Sequence, residues 1–354
     1  MSSSKRFPRR ERLAVFYNAG LLVRTETLPG SDLPLVITPG EISIDLAAWA
    51  ADNKEQISSY LTRHGAILFR GFGLSDAVEF ERMISVVSDG SLPYQERSSP
   101  RTQVNGNIYT STDYPPDHSI FLHNEQSYNS TFPSKIFFFC VTPAAQGGAT
   151  PLADCRRVLQ RIPAEIALRF MERKIQYVRN FGNGLGLSWQ IAFQTADPAQ
   201  VEAYCEGNDI DLEWKRDGGL RVRSIRPAVV RHPRSGEQAW FNHCTFFHIS
   251  TLQAVIGETL AHHMAESELP TNTYYGDGSP IEADVLNKLR EAYRAEMTRF
   301  EWKAGDLLLL DNMLTAHGRD PFTPPRKILV GMADPLKWDA AKELEGIDHG
   351  RHEC

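Results

Sequence analysis

Two short stretches of the chain carry side chains that could share a divalent cation. In Phe121-Leu122-His123-Asn124-Glu125-Gln126-Ser127-Tyr128, an imidazole and a carboxylate stand two residues apart. On a β-strand, residues i and i+2 point to the same face. His123 and Glu125 could then grip one ion side by side. A lone pair of this kind is also an ordinary polar pair on a strand, so it carries little by itself. The second stretch, Leu307 to Arg319, reads LLLLDNMLTAHGR. A strongly apolar strand ends at the turn signal Asp311-Asn312, and His317 follows just before Gly318. A histidine at the rim of a buried strand is well placed to complete a three-donor set. Two histidines and one carboxylate on one face of an iron leave the opposite face open. A chelating cosubstrate and O2 need such open positions, which a closed cysteine-rich set would not leave.

Two further residues could hold an anion beside that ion. Arg326, nine residues after His317, sits in Pro324-Pro325-Arg326-Lys327-Ile328-Leu329-Val330 and opens a strand. A guanidinium there can hold a carboxylate in a fork, although a surface arginine after a turn looks the same in sequence. Thr150, in Gln146-Gly147-Gly148-Ala149-Thr150, offers a hydroxyl to the same carboxylate. Ser127 and Asn129 share the His123 face if the strand stays regular, and they are candidate substrate contacts. Arg319 is as suited to bracing the ligand loop as to touching substrate. The other histidines do not read as ligands. His243 and His248 read as structural or pocket-lining beside the core residues Trp240 and Phe241, and His262 and His263 occupy a helical pattern that reads as a solvated helix face, without the HExxH order of a zinc protease. His349 and His352 fall in a polar tail.

The elements that position these side chains follow from periodicity and punctuation. Helices are predicted over 45–63, 76–87, 154–174 with Asp154 as N-cap, near 199–206, over 252–266 and over 282–295. Strands are predicted at 66–71, 119–128, 134–142, 226–232, 238–242, 305–311 and 327–333. Residues 88–118 carry Ser, Pro, Asn, Asp and Thr at high density, and a loop that long in a compact domain is often a lid. Many short strands, with helices at the start and in the middle, point to an α+β chain with a mainly β core. Residues 1–30 are expected to form an N-terminal arm, 31–340 a single domain and 341–354 a tail.

Composition narrows the function classes. The 354 residues are 42% hydrophobic and 23% charged, which excludes a disordered, coiled-coil or fibrous chain. Lys+Arg at 38 against Asp+Glu at 44 gives a net charge of −6, which argues against a nucleic-acid footprint. The longest apolar runs, Ile136–Val141 and Leu307–Leu310, are strand-sized, so no membrane helix is expected. The basic run Lys5 to Arg10 is not followed by an apolar stretch of signal-peptide length. Five scattered cysteines without CxxC suit a reducing cytoplasm. Neither GxGxxG after a strand nor a P-loop occurs.

Taken together and in this order, HNE at His123–Glu125, GGAT at Gly147–Thr150 and DNMLTAHGRDPFTPPRK at Asp311–Lys327 are specific. The chain resembles the Fe(II)/2-oxoglutarate-dependent dioxygenases of the taurine dioxygenase (TauD/TfdA) and clavaminate synthase-like group over roughly residues 35–335. The resemblance implies a double-stranded β-helix (jelly roll) wrapped by helices, with His123, Glu125 and His317 as iron ligands. It implies Arg326 and Thr150 as holders of the distal 2-oxoglutarate carboxylate; Lys327 is the neighbouring alternative. Fe(II) would be the cofactor, with 2-oxoglutarate and O2 as cosubstrates. Halogenases of the superfamily have a small residue in place of the carboxylate ligand, so Glu125 favours an oxygenase outcome. Taurine dioxygenase-like members often carry a second, substrate-binding arginine four residues after the first, and here Val330 or Gly331 stands there. The look is most similar to members from nonribosomal peptide pathways. That implies hydroxylation of an amino acid or its derivative, free or carrier-tethered. Desaturation, epoxidation or rearrangement at the same centre is the alternative, and a metal-binding cupin-like sensor or scaffold the non-enzymatic one.

Overall fold

The computed structural model describes residues 22–338, apart from 42, 93–95, 97–100, 112–113, 183–185 and 252–264. The strand Thr131–Thr142 lies near the middle of an eight-stranded sheet. In spatial order the sheet runs Val23–Leu28, Ser31–Pro39, Ala66–Phe69, Leu307–Asp311, Thr131–Thr142, Lys327–Lys337, Ile108–Thr110, Gln103–Asn105. The pairing of Ser31–Pro39 with Ala66–Phe69 is parallel, while Thr131–Thr142 pairs antiparallel with both its neighbours.

The apolar runs of the two central strands do not alternate with polar residues because both faces of the sheet are covered. Phe137, Phe139, Leu307, Leu309, Ile67 and Phe69 point one way, into a core with Trp49, Leu61, Phe80 and Ile84 from the N-terminal helices. Ile136, Phe138, Cys140, Leu308, Leu310 and Leu68 point the other way, into a second core. That second face looks onto a smaller sheet of Ile120–His123, Thr315–Arg319 and Leu152–Asp154. Leu152 joins the core of Phe138, and the Phe138 ring lies 5.2 Å from that of His317. A short pair, Phe322–Thr323 with Gln146–Gly147, extends this side. Two sheets packed face to face and wrapped by helices make the mainly β, α+β jelly roll.

An inserted layer completes the molecule. Its four-stranded sheet runs Ile210–Trp214, Leu220–Arg226, Ile175–Phe181, Thr271–Tyr275. Tyr177, Trp240, Phe170 and Tyr293 tie this layer to the helices Cys155–Arg161, Ala164–Arg173 and Ala283–Glu296.

Several elements differ from the sequence expectation, each for a local reason. The helix predicted over 45–63 is two helices, Leu46–Asp52 and Lys54–His64. Asn53 separates them, and its Nδ2 donates to the Trp49 carbonyl at 2.7 Å, so the side chain competes for helical backbone acceptors. The helix predicted over 154–174 also breaks, at Ile162-Pro163, since proline has no N–H to continue the ladder. Asp154 does cap its start, accepting from the Arg156 N–H at 2.8 Å. The strand predicted over 119–128 ends at His123, and the chain turns through Gln126 in the left-handed region. Within 88–118, Gln103–Asn105 and Ile108–Thr110 extend the large sheet. Residues 1–21, 339–354 and most of the helix predicted at 252–266 lie outside the described residues, as do His262, His263, His349 and His352. Among the described residues, no helix is long and apolar enough to cross a membrane.

Candidate metal centre

His123 and His317 face each other across one pair of strands. They are direct register partners between Ile120–His123 and Thr315–Arg319. Their ring centroids are 4.7 Å apart. Glu125 follows just beyond the strand end. Donor atoms of His123, Glu125 and His317 all lie within 4.8 Å of one another, and all three residues are buried. The His317 Nε2 to Glu125 Oε2 distance is 4.0 Å. That is about 1 Å wider than the edge of a facial triad built on bonds of roughly 2.1 Å.

The reason Glu125 reaches this point is not strand alternation. Its backbone is clamped by Asn312 from the turn after Leu307–Asp311. Asn312 Oδ1 accepts from the Glu125 N–H at 2.9 Å, and Asn312 Nδ2 donates to the Glu125 carbonyl at 2.9 Å. The Asn124 side chain closes the clamp by donating to the Asn312 carbonyl at 2.7 Å. The turn carrying Asn312 is itself held by Asp311, which accepts from the Met313 and Leu314 N–H groups. His232 Nε2 lies 2.9 Å from the other Asp311 oxygen.

The imidazoles suit a metal. His123 Nδ1 lies 2.8 Å from the Phe121 carbonyl and donates to it, which leaves Nε2 with its lone pair. Phe246 stacks on the His123 ring at 4.6 Å and 17°. Burial holds both imidazoles below their ordinary pKa, His317 well below, with His123 and Arg101 adding to the effect at His317. Neutral imidazoles are the form that binds metal. The donor set therefore fits an Fe(II) ion with open coordination positions.

These residues line a cavity of about 140 Å³ with Arg101, Ser111, Tyr114, Ile120, Phe138, Thr150, Phe246, Gly318, Arg319 and Arg326. Arg326 and Thr150 are brought to the same space as the trio. Arg326 Nε donates to the Gly148 carbonyl at 3.0 Å, and its guanidinium lies over the Phe322 ring. Burial, then Arg319, pulls the Arg326 guanidinium down to about 10, so it is still a cation at neutral pH. Thr150 Oγ1 accepts from Trp302 Nε1 at 3.1 Å, which directs its own O–H elsewhere. Gly147 and Gly148 permit this corner. A Cβ on Gly147 would sit 2.4 Å from the Pro321 carbonyl oxygen.

Other candidate residues sit differently. Ser127 and Asn129 are not at the cavity. Once the strand ends at His123, Ser127 Oγ donates to the Asn124 carbonyl and meets His243 Nδ1 at 3.0 Å. The Asn129 amide, with its nitrogen toward Glu96, donates to that carboxylate at 3.0 Å. Both are thus turned into the packed interior, which corrects the expectation of substrate contacts. Arg319 lines the cavity, yet it donates to the carbonyls of Tyr114, Pro115 and His118, so it braces the loop. His243 is buried and meets His123 edge-on at 4.7 Å, outside the donor trio, and His248 bonds to Ser250. Sequence reasoning did not single out Arg101, whose Nη2 donates to Glu125 Oε2 at 2.7 Å. Nor did it single out Phe246 or the clamp role of Asn312. An asparagine directly after a buried strand's Asp was the available signal for the last.

Fold and donor set fit one class, a dioxygenase centred on a single metal ion. A model of the taurine catabolism dioxygenase TauD, TfdA family matches residues 30–333, and the chain belongs to that family. It is 40% identical over 288 residues to the dapdiamide synthesis protein DdaC of Enterobacter agglomerans, covering 81% of this chain and 87% of the relative. It is 30% identical over 317 residues to a clavaminate synthase-like protein of Arabidopsis thaliana, covering 84% and 93%. Among solved structures, PvcB of Pseudomonas aeruginosa shares the fold at TM-score 0.52 and 17% identity, covering 90% and 93%. PvcB is described as an Fe, alpha-ketoglutarate dependent oxygenase from an isonitrile synthetic pathway. An asparagine oxygenase shares the fold at TM-score 0.51 and 14% identity, covering 81% and 79%.

Proposed function

We propose that this dioxygenase hydroxylates an unactivated C–H bond of an amino acid or amino-acid-derived molecule. His123, Glu125 and His317 would hold Fe(II), and Arg326 with Thr150 would hold the distal carboxylate of 2-oxoglutarate. The observation that carries the reading is the convergence of these five side chains on one buried cavity. A hydrolase or a scaffold has no use for a carboxylate anchor beside the three donors.

Iron, when bound, would supply the oxidising chemistry that couples conversion of 2-oxoglutarate and O2 to succinate and CO2 with oxidation of the C–H bond. The chain's own part is placement. The Phe121 carbonyl keeps the Nδ1 proton of His123 in place and aims Nε2 inward. The Asn312 clamp fixes the backbone from which the Glu125 carboxylate extends. The Arg326 cation and the Thr150 hydroxyl would both donate to one carboxylate and so set the orientation of the cosubstrate. Ile120, Phe138 and Phe246 supply an apolar wall that limits water near the reacting groups. The segment 88–118 contributes Arg101, Ser111 and Tyr114 to the wall, and we assign it as the cover of the site.

The relatives favour amino-acid chemistry. DdaC is a dapdiamide synthesis protein, and one structural neighbour is an asparagine oxygenase. The test is O2 uptake and succinate release with Fe(II) and 2-oxoglutarate, with and without a panel of free and carrier-tethered amino acids. The reading requires turnover that depends on both Fe(II) and 2-oxoglutarate and rises with at least one member of the panel. A hydroxylated product gains one oxygen atom by mass. A product two hydrogens lighter would replace hydroxylation with desaturation.

A further inference from the structure

The cavity wall is unbalanced in charge. Glu125 is the sole carboxylate among the described residues that line it, whereas Arg101, Arg319 and Arg326 bring three guanidiniums. In the proposed function, Fe(II) meets one carboxylate ligand and a dianionic cosubstrate, which leaves one net negative charge. Among the described lining residues, the three guanidiniums exceed it by two. A cavity that stays cationic after its metal and cosubstrate are in place is complementary to an anion.

The three arginines are not equivalent. Arg319 is committed to the backbone carbonyls of Tyr114, Pro115 and His118. Arg326 sits at the Gly148–Thr150 corner and serves the cosubstrate in the proposed function. Four and five residues beyond Arg326 the strand offers no charge: Val330 is fully buried in an apolar core, and a Cβ on Gly331 would lie 2.4 Å from Ile84 Cδ1. Arg101 enters from the 88–118 segment instead, at the Glu125 corner. Its side chain is 7% exposed, and it already makes a carboxylate contact, at 2.7 Å to Glu125 Oε2. Its guanidinium is therefore held at the ion's side of the cavity, where a reacting molecule lies next to the metal.

We propose that Arg101 is the substrate anchor and that it pairs with a carboxylate on the substrate. The inference rests on the proposed function and adds a substrate class: molecules with a free carboxylate near the C–H bond to be oxidised. Recognition comes from Arg101 rather than from the strand that holds the cosubstrate.

The test uses the full chain loaded anaerobically with Fe(II) and 2-oxoglutarate, whose complex has a visible charge-transfer absorption. The probes are the twenty proteinogenic L-amino acids and their α-carboxamides, titrated while that absorption is followed. Succinate release in air is the second readout. At least one free acid is expected to perturb the absorption, with its amide roughly 10- to 100-fold weaker. Arg101→Gln should erase that preference by weakening the acid to the level of the amide, and Arg101→Lys should restore part of it. Equal binding of acid and amide by the native protein, no binding by any acid, or equal weakening of both in Arg101→Gln would overturn the inference. If the native protein develops no charge-transfer absorption at all, the proposed function itself falls and the inference falls with it.

Discussion

At the residue scale, the candidate site rests on neighbours that position three donors. The histidines are buried and neutral, and one is oriented by a main-chain carbonyl. The carboxylate is positioned by an asparagine more than 180 residues away, through hydrogen bonds to its backbone at both N–H and C=O. Removing Glu125 takes away one of three donors and leaves the Arg101 cation without that partner. Glu125→Ala should weaken Fe(II) binding by at least 10- to 100-fold and abolish 2-oxoglutarate-dependent O2 uptake. Calorimetric titration of Fe(II) or Mn(II) checks this, and a native-like affinity would remove Glu125 from the ligand set. Arg326→Gln keeps the shape but not the charge. It should raise the KM for 2-oxoglutarate by about 10- to 100-fold, as the loss of a charged hydrogen bond does, with metal affinity unchanged. An unchanged KM would move the anchor to the neighbouring Lys327.

At the element scale, the two central strands carry the molecule because each sends alternate residues into two cores. A turn between elements matters as much. Gly65 ends the helix Lys54–His64 at φ 74° and leads into the strand Ala66–Phe69. A Cβ there would sit 2.4 Å from Thr315 Oγ1, on the strand that carries His317. Gly65→Ala combines a left-handed conformation with overpacking and should destabilise the protein by about 2–4 kcal/mol. Urea unfolding measures it, and a loss below about 0.5 kcal/mol would show that the helix end relaxes freely.

At the scale of the whole molecule, the 88–118 segment joins the jelly roll to the inserted sheet through a buried ion pair. Glu96 Oε1 accepts from Arg179 Nη1 at 3.0 Å, with both side chains 4% exposed or less. Tyr204 and Asn129 also donate to the Glu96 carboxylate, and Tyr128 donates to its main-chain carbonyl. Glu96→Ala removes the charged partner of a buried arginine and should cost about 3–5 kcal/mol. Limited proteolysis of the same variant should cut within 88–118 sooner than in the native chain. Unaltered stability would mean that the segment is held by other contacts.

Much of the site could be read from residue order alone. His123, Glu125, His317, Arg326 and Thr150 were all candidates because their types are chemically distinctive and their flanking glycines, prolines and turn signals are local. The unbroken apolar runs likewise announced buried strands. Helix lengths were misread where one residue, Asn53 or Pro163, interrupts an otherwise continuous pattern. Ser127 and Asn129 were misassigned because alternation was carried past the point where the strand stops. That stop is set by Asn312, Asn124 and a left-handed Gln126, contacts between segments far apart along the chain. The Arg101–Glu125 pair and the Phe246–His123 stack belong to the same category. A side chain's type travels with the sequence, but its direction is decided by partners that only folding brings within hydrogen-bonding range.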